Sequence, residues 1–165
     1  MQKTYTTKRL KLDRLNLNDT AFIFELLNTE GWIKFIGDRN IGSMEDSENY
    51  IEKTLKNPDI IYWVVKTIDE KDSMGIISFV KRENLEYRDI GFAFLPFFSK
   101  RGYAFEAAEI VLKDLLQDPD NKIILATIKA ENIDSVKLIE KLGFQFDHEI
   151  ENGEIKSLRY SIKAE

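Results

Sequence analysis

The 165-residue chain contains no cysteine, one histidine and only three prolines. Without cysteine it forms no disulfide, no thiolate metal site and no cysteinyl acyl-enzyme. The single histidine, His148, rules out a histidine-rich metal site. A lone histidine late in a predicted strand is most often structural, so His148 is assigned no role and no metal is expected.

Long hydrophobic runs and a surplus of basic charge are also missing. No apolar run is long enough to cross a bilayer, and the opening MQKTYTTKRLKL lacks the apolar stretch of a signal peptide. These absences predict a cytoplasmic protein with no membrane contact. The formal net charge of −5 argues against broad nucleic-acid binding. No Walker sequence and no G-x-G-x-x-G motif occurs, so ordinary nucleotide sites are not supported.

The remaining composition is that of one globular domain. Hydrophobic residues make up 43% of the chain and charged residues 32%, which is typical of soluble proteins. No internal repeat and no Pro/Gly/Ser-rich linker divides the sequence. A single domain is therefore expected over residues 1–165.

The hydrophobic pattern of the first hundred residues predicts two helices and four strands. The alternating segment RLKLDRLN predicts a first strand, and Asn18 or Asp19 can cap a helix after it. Ser43 precedes Asp46 by three residues, a capping-box spacing that predicts a second helix to about residue 57. Three runs rich in β-branched and aromatic residues predict an antiparallel meander over 60–68, 73–82 and 87–96.

After Gly102 the period becomes helical, and strands and helices then alternate. A helix is predicted to near Gln117, then the strand KIILATIKA, then a helix that ends at Gly143. Two strands over 144–151 and 155–163 would meet at the turn Asn152-Gly153. The order β-α-α-β-β-β-α-β-α-β-β predicts an α+β fold whose mixed, mostly antiparallel central sheet is flanked by helices. An exposed sheet edge at the C-terminus would allow a homodimer.

The stretch FSKRGYAFEA places two cations directly before a glycine and an alanine-rich helix. The first N–H groups of a helix have no intrahelical partner and carry the positive end of the helix dipole. Gly102 lets the backbone approach a ligand, Ala104 keeps the first turn bare, and Lys100 and Arg101 add charge. This arrangement favours a phosphate site. Spacing alone fits a basic loop before a buried helix equally well.

Two motifs carry a resemblance to a known family. FLPFFSKRGYAFEA followed by NIDSVKLIEKLGF resembles the two core motifs of the GNAT superfamily of acetyl-CoA-dependent N-acyltransferases. The closer similarity is to the Rim-type branch, whose members acetylate the N-termini of ribosomal proteins. TKRLKLDRLNLND and FIGDRNIGSMEDSENYIEK are also similar to that branch. The resemblance spans nearly the whole chain and implies the GNAT fold with acetyl-CoA as the acetyl donor.

The resemblance also implies which residues bind the cofactor. The third meander strand would separate from the strand at 122–130, leaving backbone near Phe94 and Leu95 for the pantetheine amides. Asn132 and Ser135 match an N-x-x-S motif that faces the lower half of the cofactor. The pyrophosphate loop would be formed by Ser99, Lys100, Arg101, Gly102, Tyr103 and Ala104, the last four through their backbone amides. Tyr103 would stack there or simply pack under the helix.

The sequence departs from the family pattern at two positions. Ser99 stands where many loops begin with glutamine or arginine, and Ile139 stands where many members carry a tyrosine that protonates the departing thiolate. Ser135 is therefore the candidate that holds or protonates the thiolate. A capping or surface hydroxyl is the alternative.

Asp89 is the candidate general base, because the resemblance often shows glutamate before Ile-Gly and here the sequence is RDIGF. Burial beside the thioester would raise the pKa of this carboxyl toward neutrality. The alternative is a solvated strand-end carboxylate that pairs with Arg88 or Arg82.

The acceptor is expected to be a primary amine that attacks the thioester directly, either a protein α-amino group or a small molecule. Trp32, Phe35 and Tyr62 are candidates for its pocket, although each residue type is also common in cores. The acidic net charge weakly favours a cationic acceptor. Two alternatives stay open: a catalytically silent acyl-CoA-binding module, and an antibiotic or polyamine acetyltransferase with an acidic acceptor groove.

Overall fold

The computed structural model describes residues 3–164, which form one eight-stranded sheet and five helices. None of the helices in these residues is both long and apolar enough to span a membrane. The strands are β1 Thr4–Thr6, β2 Leu10–Arg14, β3 Ile60–Thr67, β4 Ser73–Val80, β5 Asp89–Phe94, β6 Ile123–Lys129, β7 Gln145–Asn152 and β8 Ile155–Lys163. The helices are α1 Thr20–Leu27, α2 Glu30–Phe35, α3 Met44–Lys56, α4 Tyr103–Gln117 and α5 Ile133–Lys141.

The sheet has the order β1-β2-β3-β4-β5-β6-β8-β7 and is antiparallel except where β5 meets β6. Between those two parallel strands, the described residues form one ladder pair, Asp89 with Leu125. By contrast, β4 pairs with all of β5, and β8 pairs with all of β6. The two strands therefore keep their outer partners and diverge from each other toward their C-terminal ends.

Helices cover both faces of the sheet, because side chains on a strand alternate between the faces. On β3, Trp63 and Val65 pack with α4 and α5, whereas Val64 packs with α1, α2 and α3. The core beneath α4 spans both halves of the sheet. The core beneath α1–α3 lies on the N-terminal half and reaches Leu95 after β5.

Helix boundaries agree with the capping residues in the sequence. The Ser43 hydroxyl accepts a hydrogen bond from the Asp46 N–H at 3.1 Å, and α3 follows. Asn132 caps α5 in the same way, and Gly143 just beyond α5 has a φ of 94°. The φ of 94° lies in the left-handed region, where glycine is favoured at helix C-termini.

The α+β fold class is confirmed, with two elements added to the expected order. The short strand β1 precedes the predicted first strand, and α2 occupies the aromatic segment after α1. A three-residue strand carries too little periodicity to be recognised. The C-terminal turn is shifted by one residue from the prediction, since Asn152 ends β7 and Gly153 has the positive φ.

We expect Ser43→Ala to lower the free energy of unfolding by about 1 kcal/mol, because an N–H at the start of α3 loses its side-chain acceptor. Urea unfolding followed by circular dichroism measures the change. Asn49→Ala, at an exposed position within the same helix, is the matched control and should stay within about 0.5 kcal/mol. Equal stability of Ser43→Ala and the wild type would contradict the capping role.

Candidate active site

The loop before α4 has the backbone geometry of an anion site. Lys100 and Gly102 adopt left-handed φ angles of 58° and 77°. Left-handed residues in a turn direct successive N–H groups to one side and so form a concave surface for anions. Gly102 caps α4 without a side-chain bond, and the Glu106 N–H binds the Gly102 carbonyl. The N–H groups of residues 103–105 precede that first helical bond, so they have no intrahelical partner.

Arg9, between β1 and β2, holds this loop in place. Its Nη1 donates to the Arg101 carbonyl at 3.0 Å, and its Nε donates to Glu106 Oε2 at 2.6 Å. The guanidinium carbon lies 4.4 Å from the centroid of the Tyr103 ring. The C=O and the following N–H of a trans peptide point in opposite directions. The bond from Arg9 to the Arg101 carbonyl therefore directs the Gly102 N–H away from Arg9.

Glu106, in the first turns of α4, completes this contact. Burial acts to raise the pKa of its carboxyl, but hydrogen bonds from Thr7 and Arg9 outweigh burial and lower the pKa below its ordinary value. The ionised carboxylate offsets the charge of Arg9, which leaves Lys100 and Arg101 as the exposed cations of the loop. Neither Arg9 nor Glu106 was predicted as a site residue, since nothing local signals a contact between positions so distant in the chain.

The other loop side chains make local contacts. The Ser99 hydroxyl donates to the Pro96 carbonyl at 2.6 Å, and the Arg101 guanidinium lies 4.8 Å from the Phe97 ring centroid. Tyr103 packs edge-on to Phe98, with 6.3 Å between ring centroids. Packing is therefore the role that the geometry gives Tyr103.

The backbone of Leu95, beside the gap between β5 and β6, is already hydrogen-bonded within the chain. The Leu95 N–H donates to Met74 at 2.8 Å, and its carbonyl accepts from Phe98 at 3.0 Å. The prediction that Leu95 offers free backbone is therefore wrong. Backbone groups alternate in direction along a strand, so those of Phe94, one residue earlier, face the gap.

Asp89 lies at the narrow end of that gap. It is 4% exposed, Thr127 Oγ1 donates to its Oδ2 at 2.7 Å, and Arg82 Nη2 lies 3.8 Å from its Oδ1. Burial raises the pKa of Asp89, although the Thr127 hydrogen bond and the charges of Arg82 and Arg159 oppose the rise. The solvated strand-end alternative is therefore wrong. Of its two suggested partners, Arg82 is close, whereas Arg88 lies 3.8 Å from Asp59.

The second predicted motif lies at the start of α5. Asn132 uses its amide oxygen to cap the Ser135 N–H at 3.3 Å, and the Ser135 side chain is half-buried in the first turn. Ile139 is fully buried in the core beneath α4. The position of the usual tyrosine thus carries an apolar core residue, and the role of Ser135 toward the thiolate stays a prediction.

A model of the acetyltransferase (GNAT) domain family matches residues 9–145. The chain belongs to the GNAT acetyltransferase family. The uncharacterized N-acetyltransferase YnaD of Bacillus subtilis (strain 168) is 29% identical over 140 residues, covering 85% of this chain and 81% of YnaD. A GNAT-family acetyltransferase from Bacillus anthracis superposes with a TM-score of 0.82 at 25% identity, covering 98% of each chain.

A RimL ribosomal protein L7/L12 alpha-N-protein acetyltransferase in complex with coenzyme A superposes with a TM-score of 0.84, covering 96% of each chain. Its sequence identity is 12%, so this likeness shows a shared fold. The resemblance to GNAT proteins seen in the sequence is confirmed, and the Rim-type enzymes are among the structural neighbours.

In this GNAT acetyltransferase the three aromatic candidates for the acceptor pocket differ in their surroundings. Trp32 is 4% exposed within the core beneath α1–α3, and its place in the acceptor pocket stays a prediction. Phe35 is half-buried with the Lys34 ammonium 5.0 Å from its ring centroid. Tyr62 lines a cavity of about 300 Å³, and its hydroxyl lies 3.1 Å from that of Tyr50. Burial, together with Tyr50, raises the pKa of Tyr62.

Proposed function

We propose that this GNAT acetyltransferase moves the acetyl group of acetyl-CoA to a primary amine by direct attack. The observation that supports this most is the divergence of β5 from β6 after one ladder pair. The gap has free backbone at Phe94, a buried carboxylate at its narrow end, and parallel strands that open toward their C-terminal ends. A pantetheine arm has amides that pair with strand backbone, so it fits such a gap.

The loop before α4 would hold the pyrophosphate of the cofactor. The N–H groups of residues 101–104 are the donors, and Lys100 and Arg101 supply full charges beside them. Phosphate oxygens are acceptors that the positive end of a helix dipole stabilises. This local site accommodates an anion in a chain whose formal net charge is −5.

The chemistry needs a neutral amine, and Asp89 would act as the base that provides it. The amine nitrogen attacks the thioester carbon, Asp89 takes a proton from the nitrogen, and the C–S bond breaks to release the thiolate of coenzyme A. The raised pKa of Asp89 suits a base that works near neutral pH. Backbone N–H groups along the gap would stabilise the oxyanion. Ile139 offers no proton, so Ser135 or water would protonate the thiolate.

Thiol release from acetyl-CoA with a panel of primary amines tests this function, together with calorimetric binding of acetyl-CoA. Amine-dependent release of coenzyme A is the expected result. Tight binding without turnover on any amine would instead establish the silent acyl-CoA-binding module. Absence of both binding and turnover would overturn the proposal.

The charges near Asp89 argue against a polyamine acceptor. That alternative calls for a groove lined by several carboxylates. The charged neighbours of Asp89 are instead the cations Arg82 and Arg159. A polycation would meet like charge there.

Arg9→Gln is expected to lower kcat/KM for acetyl-CoA by about tenfold or more, because the loop loses a charge-assisted tether. S-acetylpantetheine carries the same thioester without the pyrophosphate, so its kcat/KM should not change. Steady-state kinetics with both donors measures the difference. Lys8→Gln, which removes the neighbouring exposed cation, is the control. An equal loss with both donors would assign Arg9 to folding rather than to cofactor binding.

A further inference from the structure

A second cavity, of about 410 Å³, lies beside Asp89 between the β4–β5 connection and the outer strands. On the sheet it is floored by β6 and β8, and Leu125, the ladder partner of Asp89, forms part of that floor. The cavity is lined by Asn84, Leu85, Glu86, Tyr87, Ile123, Leu125, Asp147, Arg159, Ser161 and Lys163. Neither the cofactor site nor the predicted acceptor residues use it.

Arg159 is the buried cation of this cavity. It is 9% exposed, and its Nε finds no hydrogen-bond partner among residues 3–164. A buried guanidinium is costly unless an anion or hydrogen-bond acceptors compensate it. The charge of Arg159 acts on Asp89, but its Nε–H has no acceptor among the described residues. A carboxylate ligand fits this N–H, since arginine binds planar carboxylates through two parallel N–H groups.

The register of the sheet places Arg159 close to the reacting centre. Arg159 on β8 is opposite Thr127 on β6, and Thr127 donates to Asp89 on β5. The three residues therefore lie on one face of three adjacent strands, and β5 and β8 are about 10 Å apart across the sheet. Thr127 and Arg159 are two residues along from Leu125 and Ser161, the positions level with Asp89. Two side chains that approach each other across such a span can contact one small molecule.

We propose that Arg159 binds a carboxylate of the acceptor, and that the acceptor is a small primary amine with a nearby carboxylate, such as a free amino acid. This inference rests on the proposed acetyl transfer and names its substrate class. The amine would reach Asp89 while the carboxylate meets Arg159, with Ser161 and Lys163 on the same strand. Glu86 and Asp147 also line the cavity, and they disfavour a dianion such as a phosphate more than a single carboxylate. A peptide N-terminus has an amide at that point and offers no charge.

Matched acceptors that differ in the carboxylate alone test the proposal. Phenylalanine is compared with phenylalaninamide and phenethylamine, and tyrosine with tyramine, by thiol release from acetyl-CoA. In the wild type, kcat/KM should be at least tenfold higher for the amino acids. Arg159→Gln should remove that preference while KM for acetyl-CoA stays unchanged. Arg159→Lys should retain part of it. Lys156→Gln, an exposed cation on the same strand that pairs with Glu149, is the control.

An independent binding measurement covers the case in which transfer is slow or Arg159→Gln folds poorly. NMR spectra of the arginine Nε–H groups are recorded on the wild-type protein with coenzyme A bound. The resonance that is absent from the spectrum of Arg159→Lys is assigned to Arg159. Adding phenylalanine should shift that resonance, and adding phenethylamine should not. Equal preference for both acceptor classes, a preference that survives in Arg159→Gln, or an unmoved resonance would overturn the proposal. If acetyl transfer itself fails, no amine will release thiol from acetyl-CoA. The NMR titration then still decides whether Arg159 binds a carboxylate.

Discussion

Gly102→Glu is expected to raise the Kd for acetyl-CoA by about a hundredfold or more. Gly102 has a φ of 77°, and it directly precedes α4 at the loop proposed for the pyrophosphate. Two unit charges about 4 Å apart repel by about 4 kcal/mol at the effective dielectric of a protein surface. A carboxylate here would therefore act against the phosphates as well as crowd the backbone. Calorimetric titration with acetyl-CoA measures the affinity.

Gly102→Gln is the matched control, because it adds the same bulk and the same strain at a positive φ without the charge. The Cβ position at residue 102 is 3.5 Å from Arg9 Nη2, an ordinary contact, so both variants are expected to fold. The extra loss of affinity in Gly102→Glu over Gly102→Gln reports the electrostatic part. Equal affinity of the two variants would mean that the phosphates bind elsewhere.

The sequence predicted those features that local signals determine. Ser43 and Gly143 act within a few residues of their own positions, so the start of α3 and the end of α5 could be read directly from the sequence. The α4 loop was predicted for the same reason, because its cations, its glycine and its helix are contiguous. The identity of the fold came from motifs spread along nearly the whole chain, and the family match over residues 9–145 confirms it.

The features that were missed depend on pairing between distant segments. Arg9 reaches Arg101 only because β2 lies beneath the start of α4. Arg159 approaches Asp89 only because β8 pairs with β6 in one particular register, and a shift of one residue would turn its side chain to the other face. The error about Leu95 has the same origin, since its N–H is taken by Met74 on β4. Strand register is set by the whole sheet, and no short sequence window specifies it.

Asp89→Asn is expected to lower kcat by about a hundredfold or more, the usual loss when a general base is removed. Asparagine keeps the shape and can still accept the hydrogen bond from Thr127, so the change isolates the proton-accepting role. The wild type should lose activity as the pH falls through the raised pKa of Asp89, because protonation removes the base. That acidic limb should be absent from the residual activity of the variant. Steady-state rates with acetyl-CoA and a good acceptor across pH measure both effects, and a wild-type profile in the variant would exclude Asp89 as the base.

The same substitution should have the opposite effect on stability, which separates a functional role from a structural one. Because folding raises the pKa of Asp89, the folded state favours the protonated carboxyl, and ionisation costs stability. The wild type is therefore expected to lose stability relative to Asp89→Asn as the pH rises from about 4, near the ordinary aspartate pKa, through the raised value. Below that window the two proteins should unfold at similar urea concentrations. A variant that is both inactive and less stable at neutral pH would show that the carboxylate supports the fold instead. If Asp89→Asn is inactive but at least as stable as the wild type, the ionised carboxylate is retained for catalysis although it costs stability.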